Sequence, residues 1–204
     1  MSVIIKMILS MVIAASMQMS MSDATEVSPQ QIAGECMEGI KTMQEETLDR
    51  YAGNSYINFI ANLEGDDETV QRMRDALLQN FDYTIDEVLE RDDLAVAKVT
   101  IHQCDFSDVL KKYKKKSYKY ITDHLYDEDI TDKDKLNAKC LDIYVSQIEK
   151  VAKAGQTHEE TIYLPMADNG HNSWNVILEE DFMKEVLGDI AIPEEAGEGE
   201  SEEE

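Results

Sequence analysis

Hydrophobic and polar residues alternate along this chain with two different periods, and each change of period marks an element. Ile32, Cys36, Ile40, Met43, Thr47 and Tyr51 recur at steps of three or four, which is one face of a helix. Ser28-Pro29 suits its start, because a serine hydroxyl can cap free N–H groups and proline's fixed φ fits a first turn. Gly53-Asn54 suits its end, so one long helix is predicted. Residues 56–63 form a short apolar segment predicted helical, and Gly65-Asp66-Asp67 reads as a turn and cap. Val70, Met73 and Leu77 mark a second helix ending near Asn80.

The period then drops to two. Phe81, Tyr83, Ile85 and Leu89 alternate with Asp82, Thr84, Asp86 and Glu90, the pattern of a strand with one buried face. Arg91-Asp92-Asp93 is the turn into a partner strand over residues 94–104, rich in Ala, Val, Thr and Ile. Helical spacing resumes where Asp105 is expected to cap a helix with Phe106, Val109, Leu110, Tyr113, Tyr120 and Ile121 inward. A further helix from about Asp132 carries Leu136, Cys140, Ile143, Tyr144, Ile148 and Val151 on one face and stops at Gly155. Residues 160–166 and 173–178 read as strands joined by Ala167-Asp168-Asn169-Gly170, since Asn-Gly tolerates positive φ. A short helix over 179–188 comes next, and Pro193 closes the body. Strand runs separated by helix runs predict an α+β fold, with the helices packed on one face of an antiparallel sheet. Trp174 shares its strand face with Val176 and Leu178 and is expected to be buried against the sheet.

The two ends do not continue this pattern. Residues 1–6 hold one positive charge, residues 7–17 are uncharged and apolar, and Ser20, Ser22 and Ala24 come after them. That is the three-part layout of a secretory signal peptide, with cleavage expected after Ala24, and with Ser20 and Ser22 as a second option. The apolar run is shorter than the roughly 20 residues of a membrane span. Any membrane contact is therefore expected only through an uncleaved N-terminal segment. The chain divides into residues 1–24 as signal peptide or hydrophobic segment, 25–193 as a single α+β domain, and 194–204 as a disordered acidic tail. Its expected location is secreted or cell-envelope associated, outside the cytoplasm.

Charge narrows the possible partners. The formal net charge is −24, and seven of the acids lie in residues 194–204, so residues 1–193 still carry −17. A body this acidic repels phosphate backbones and anionic lipid, and non-specific nucleic-acid binding is not expected. Against this background Lys111, Lys112, Lys114, Lys115, Lys116 and Lys119 fall in nine positions, interleaved with Tyr113 and Tyr118. At 100° per residue Lys111, Lys115 and Lys119 align, as do Lys112 and Lys116, while Tyr113 and Tyr120 turn inward. The cluster reads either as a solvated face bridging to local acids or as a docking patch for an acidic protein or cell-surface polymer.

Other candidate chemistry is sparse. Cys36, Cys104 and Cys140 show no Cys-x-x-Cys spacing and read as buried thiols, with one disulfide open to an exported chain. The histidines His102, His124, His158 and His171 form no His-Glu-x-x-His. No Gly-x-Ser-x-Gly or glycine-rich phosphate loop is present. Cys104 and His102 lie two apart on one strand, a weak nucleophile arrangement opposed by acidic Asp105. Asp127, Glu128, Asp129, Asp132 and Asp134 lack the central glycine of a calcium loop, and Lys133 and Lys135 intrude. No cofactor or metal is therefore expected.

Residues 94–113, LAVAKVTIHQCDFSDVLKKY, and residues 173–182, SWNVILEEDF, resemble segments of uncharacterised secreted lipoproteins of Gram-positive bacteria with a cystatin-like, NTF2-like fold. The resemblance spans residues 26–187. It implies a cone in which a curved sheet wraps a long helix, and it implies no activity. Such lipoproteins carry a lipidated Cys, and residues 17–21 contain none. The expected function is a non-catalytic exported ligand-binding or interaction module. The alternative is an enzyme working inside the cone, with Tyr83, Asp86, His102, Tyr163 and Trp174 as possible pocket lining.

Overall fold

Four strands form one antiparallel sheet in the order β1-β2-β3-β4. In the computed structural model, which describes residues 27–63 and 65–192, the chain runs α1 (Pro29–Lys41), α2 (Glu45–Arg50), α3 (Ser55–Ala61), α4 (Asp67–Leu78), β1 (Asp82–Arg91), β2 (Leu94–Cys104), α5 (Val109–Asp123), α6 (Glu128–Thr131), α7 (Lys133–Ala154), β3 (Thr157–Asp168), β4 (Trp174–Val176) and α8 (Glu180–Val186). The signal-peptide reading of residues 1–24 and the acidic-tail reading of residues 194–204 lie outside the described residues. Among the described residues no helix is long and apolar enough to cross a membrane.

Local chemistry accounts for most boundaries. Ser28 Oγ accepts from the Gln31 amide at 3.2 Å, and Pro29 takes the first turn of α1. Asn54 and Asp66 cap α3 and α4 in the same way. Asp132, one of the acids weighed for a calcium loop, accepts from the Asp134 and Lys135 amides and so caps α7. Gly155 stops α7 at φ +63°.

The sheet buries one face. Ala95, Ala97, Val99 and Ile101 of β2 stand beside Met166, Leu164 and Ile162 of β3, and all seven are buried. α1 lies directly on this face, contacting β1, β2 and β4, and α8 lies against β3. α4 packs on α7, and α5 packs on α7 rather than on the sheet. The architecture is α+β with the helices on one face of the sheet.

Four local expectations are corrected. The helix expected from Ile32 to Tyr51 is broken: Met43 takes φ +52°, and the chain reverses between α1 and α2. The reversal brings Thr47 onto Gly39, where a β-carbon would overlap the threonine side chain. Leu48 is thereby buried. In β1 the alternation slips at a bulge between Ile85 and Glu87. Beyond it Val88 takes the core side, and Leu89, expected inward, is 60% exposed. The extra residue bends the edge strand and curves that side of the sheet. Asp105 does not cap α5; its carboxylate closes a turn with the Ser107 amide at 2.9 Å, and the helix begins four residues later. Trp174 shares the core side of β4 with Val176 but is only half-buried, because β4 is the edge strand.

The α4–α7 contact carries an ionic tie. Arg72 donates to both oxygens of Glu149 at 3.1 and 3.0 Å and to Asp142 at 3.1 Å. The Arg72 hydrogen bonds hold Glu149 below the usual carboxylate range. Burial pushes Asp142 up, but hydrogen bonds from Arg72 and Lys139 outweigh it and leave the carboxyl low. Groups depressed in the folded state stabilise above their unfolded pKa, and that contribution is lost as pH falls through the folded values. Stability is therefore expected to decline from about pH 5 downward, and Arg72→Met should flatten this acid limb. At pH 7 the substitution should cost about 1–2 kcal/mol, a figure reduced for the partial exposure of all three groups. Urea unfolding across pH checks both.

Candidate functional site

The sheet separates the five residues considered as pocket lining. Tyr83 and Trp174 stand on the helix-covered face, while Asp86, His102 and Tyr163 belong to the opposite, open face. Tyr83 reaches α1, where its hydroxyl lies 3.2 Å from Glu38 Oε2. Asp86 sits in the bulge and accepts from Thr100 Oγ1 at 2.7 Å, with Lys98 Nζ at 3.6 Å. His102 Nε2 is 3.8 Å from Glu159 Oε2, and Tyr163 is 48% exposed beside Lys98. No single cavity brings the five together. Register decides this: alternation assigns residues to a face within one strand, but the bulge and the strand pairing fix which faces coincide.

Concavities among the described residues lie elsewhere. One of about 200 Å³ is lined by Ile32, Cys36, Arg50 and Tyr51 among others, between α1 and α2. Desolvation by burial pushes the Cys36 thiol up to about 11, so it stays protonated near neutral pH, the opposite of what a nucleophile needs. Another, about 400 Å³ and widely open, lies along Lys41, Met43, Arg74 and Leu78. Cys104 is buried with Asn80 Nδ2 3.5 Å from its sulfur, and His102 is turned to Glu159 instead. All three cysteines are free thiols. Among the described residues no three His, Cys, Asp or Glu side chains converge as a metal-ligand set.

The lysine cluster is the most distinctive surface. All six lysines of α5 are exposed, while Val109 and Ser117 turn inward. Tyr113 packs edge-on against Tyr144 of α7, with ring centres 5.4 Å apart. Lys112 and Lys119 are neutralised locally, by Asp108 just before the helix at 3.7 Å and by Asp123 at its end at 3.0 Å. Among the described residues no carboxylate forms an ion pair with Lys111, Lys114, Lys115 or Lys116. Lys116 instead meets Lys150 of α7. That contact, with slight desolvation and charge repulsion, lowers Lys116 below the ordinary lysine range. Sequence alone does not single out Lys150, which is one more polar position near the end of a helix. Only the docking of α5 on α7 makes it a neighbour of the cluster.

Two packed helices thus hold uncompensated ammonium groups together on a chain of net charge −24. Such a surface offers several donors to an anion without prior breakage of local ion pairs.

Residues 30–189 match the family described as "Domain of unknown function (DUF5105)". Among curated proteins none matches the chain. Among solved structures the chain is similar to a candidate lipoprotein (ycdA) from Bacillus subtilis subsp. subtilis str. 168, at 15% identity and a TM-score of 0.41. The similarity covers 80% of this chain and 47% of that one, so this chain spans about half the neighbour's length. The family match runs from the first turn of α1 past the end of α8 and takes in all four strands; the chain belongs to the DUF5105 family.

Proposed function

We propose that this domain is a non-catalytic module working outside the cytoplasm, and that the lysine face of α5 and α7 holds an anionic cell-surface polymer. One observation carries the reading: Lys111, Lys114, Lys115 and Lys116 stand exposed along one helix with no carboxylate paired to any of them among the described residues, and Lys150 of α7 lowers the pKa of Lys116. Like charges in contact disfavour one another, and an anion bridging them relieves that cost. Lys111 and Lys115 stand four residues apart, about 6 Å along the helix axis, and Lys119 continues the row once its ion pair with Asp123 is exchanged for the ligand. That row suits a linear ligand with one charge per repeat. The acidic body does not cancel the attraction at contact, because charges beyond about 8 Å are largely screened at physiological salt. The export-type layout of residues 1–24 supports a place where such polymers occur. The reading also takes the fold as a cystatin-like or NTF2-like cone, with α1 against its inner face and the interior filled by side chains such as Met37, Ile40 and Leu164.

Titration with a short poly(glycerol phosphate) tests the reading. Binding is expected to weaken steeply with salt, as counterion release requires. Changing Lys111, Lys115, Lys116 and Lys150 together to Gln should weaken it about tenfold or more. The melting temperature should change little, since exposed charges contribute about 0–1 kcal/mol. Equal affinity of the two proteins would contradict the proposal. A large loss of stability would mark the lysines as structural.

A further inference from the structure

The lysine face carries an uncovered aromatic ring. Tyr118 is 73% exposed. It comes four residues after Lys114 and three after Lys115, the two spacings that share a helix face. Helical side chains lean toward the N-terminus of their helix, so the Tyr118 ring lies over the turn that holds these two lysines. The other rings of α5 are already occupied. Tyr113 packs on Tyr144, and Tyr120 lies 4.3 Å from His124 between ring centres, with Lys139 Nζ 5.9 Å from its own centre. Among the described residues no ring stacks on Tyr118 and no ammonium stands over it. Exposed apolar side chains gather at this end of the helix: Leu125 and Tyr126, the latter 98% exposed, follow just past it. Elsewhere among the described residues only Leu89 and Tyr163 are large, hydrophobic and exposed.

We propose that Tyr118 is a sugar-stacking platform within the lysine face, so that the site selects an anionic polymer bearing pyranose units over one that is anionic alone. This rests on the reading of that face as an anion site. The face of an aromatic ring is electron-rich, and it attracts the weakly positive C–H groups on the flat side of a sugar. The hydroxyls at the rim of that sugar then meet the ammonium donors of Lys114 and Lys115, which no carboxylate pairs among the described residues. Tyr118 stands about 4.5 Å beyond Lys115 along the helix axis, so a phosphate on Lys115 and a sugar attached beside it can be held together. A polymer without sugars satisfies the ammonium groups but leaves the ring bare. Tyrosine also loses little freedom on binding, having only two side-chain torsions. A single-stranded nucleic acid is usually held along a positive groove by a succession of rings, whereas α5 presents a convex face with one free ring.

Titration of the full chain with two poly(glycerol phosphate) probes of equal length, one bare and one glucosylated on its glycerol units, tests this. The glucosylated probe is expected to bind about threefold to tenfold tighter at equal salt. Tyr118→Ala should abolish that preference, while Tyr118→Phe, which keeps the ring, should preserve it. Equal affinity of the unaltered chain for the two probes, or a preference that survives in Tyr118→Ala, would overturn the inference. Tighter binding of an oligothymidylate of equal charge would overturn it too, by making the ring a base platform. The same titrations separate this inference from the reading beneath it. If both probes bind through the lysines with no preference, the anion site stands and the sugar platform falls. If the preference depends on Tyr118 but changing Lys111, Lys115, Lys116 and Lys150 to Gln weakens neither probe, the platform stands and the anion site falls. If neither probe binds, both fall.

Discussion

Replacing Gly188 with alanine is expected to destabilise the domain by about 3–4 kcal/mol, read as a lowered urea midpoint with an unchanged slope. Two costs combine. Gly188 has φ +61°, a conformation that costs an L-residue about 1–2 kcal/mol. The new β-carbon would also overlap the carbonyl oxygen of Cys104 and press on the Phe106 ring at 2.8 Å. Neither neighbour can retreat easily. Cys104 and Phe106 are fully buried, and the Phe106 amide donates to the Gly188 carbonyl at 2.7 Å. Gly155→Ala serves as the control, because Gly155 has φ +63° but open space where its β-carbon would stand. Its expected cost is the backbone share alone, about 1–2 kcal/mol. Equal losses for the two variants would show that the close packing at Gly188 contributes nothing.

Gln103→Leu is expected to be of similar size, about 3–5 kcal/mol. Gln103 is 1% exposed and satisfies three backbone groups. Its Nε2 donates to the carbonyls of Leu77 at 3.1 Å and Val186 at 2.9 Å, and its Oε1 accepts from the Cys104 amide at 2.7 Å. One side chain thus joins the ends of α4, β2 and α8. Leucine would leave those groups buried and unpaired, at roughly 1–3 kcal/mol each before relaxation. Gln103 and Gly188 border the same corner, so the double variant should lose less than the sum of the single losses. Thermal unfolding of the two single variants and the double checks this.

The chain's hydrophobic periods carried the element types, because amphipathic helices and half-buried strands must each present an apolar face. The hairpin at Asp92-Asp93, the Asp132 start of α7 and its Gly155 stop were all legible as turn and cap chemistry. The features that sequence does not reveal are tertiary. The break at Met43 arises from Thr47 seating on Gly39, a contact that no three- or four-residue period encodes. The bulge at Asp86 reverses the sidedness of the rest of β1, which is why Leu89 points outward. Of the site, the six lysines of α5 could be read as a face, but their neighbour Lys150 could not, since helix pairing is set by the buried sides. The pocket residues were distributed by strand register, which composition does not reveal.

An amide chemical-shift map of the isotope-labelled full chain, titrated with poly(glycerol phosphate), locates the bound polymer directly. Shifts are expected to concentrate on Lys111, Lys115, Lys116 and Lys150 and to vanish when those four residues are changed to Gln. Shifts centred instead on Leu89, Val96 and Tyr163 of the open sheet face, or spread evenly over the surface, would contradict a lysine-face anion site.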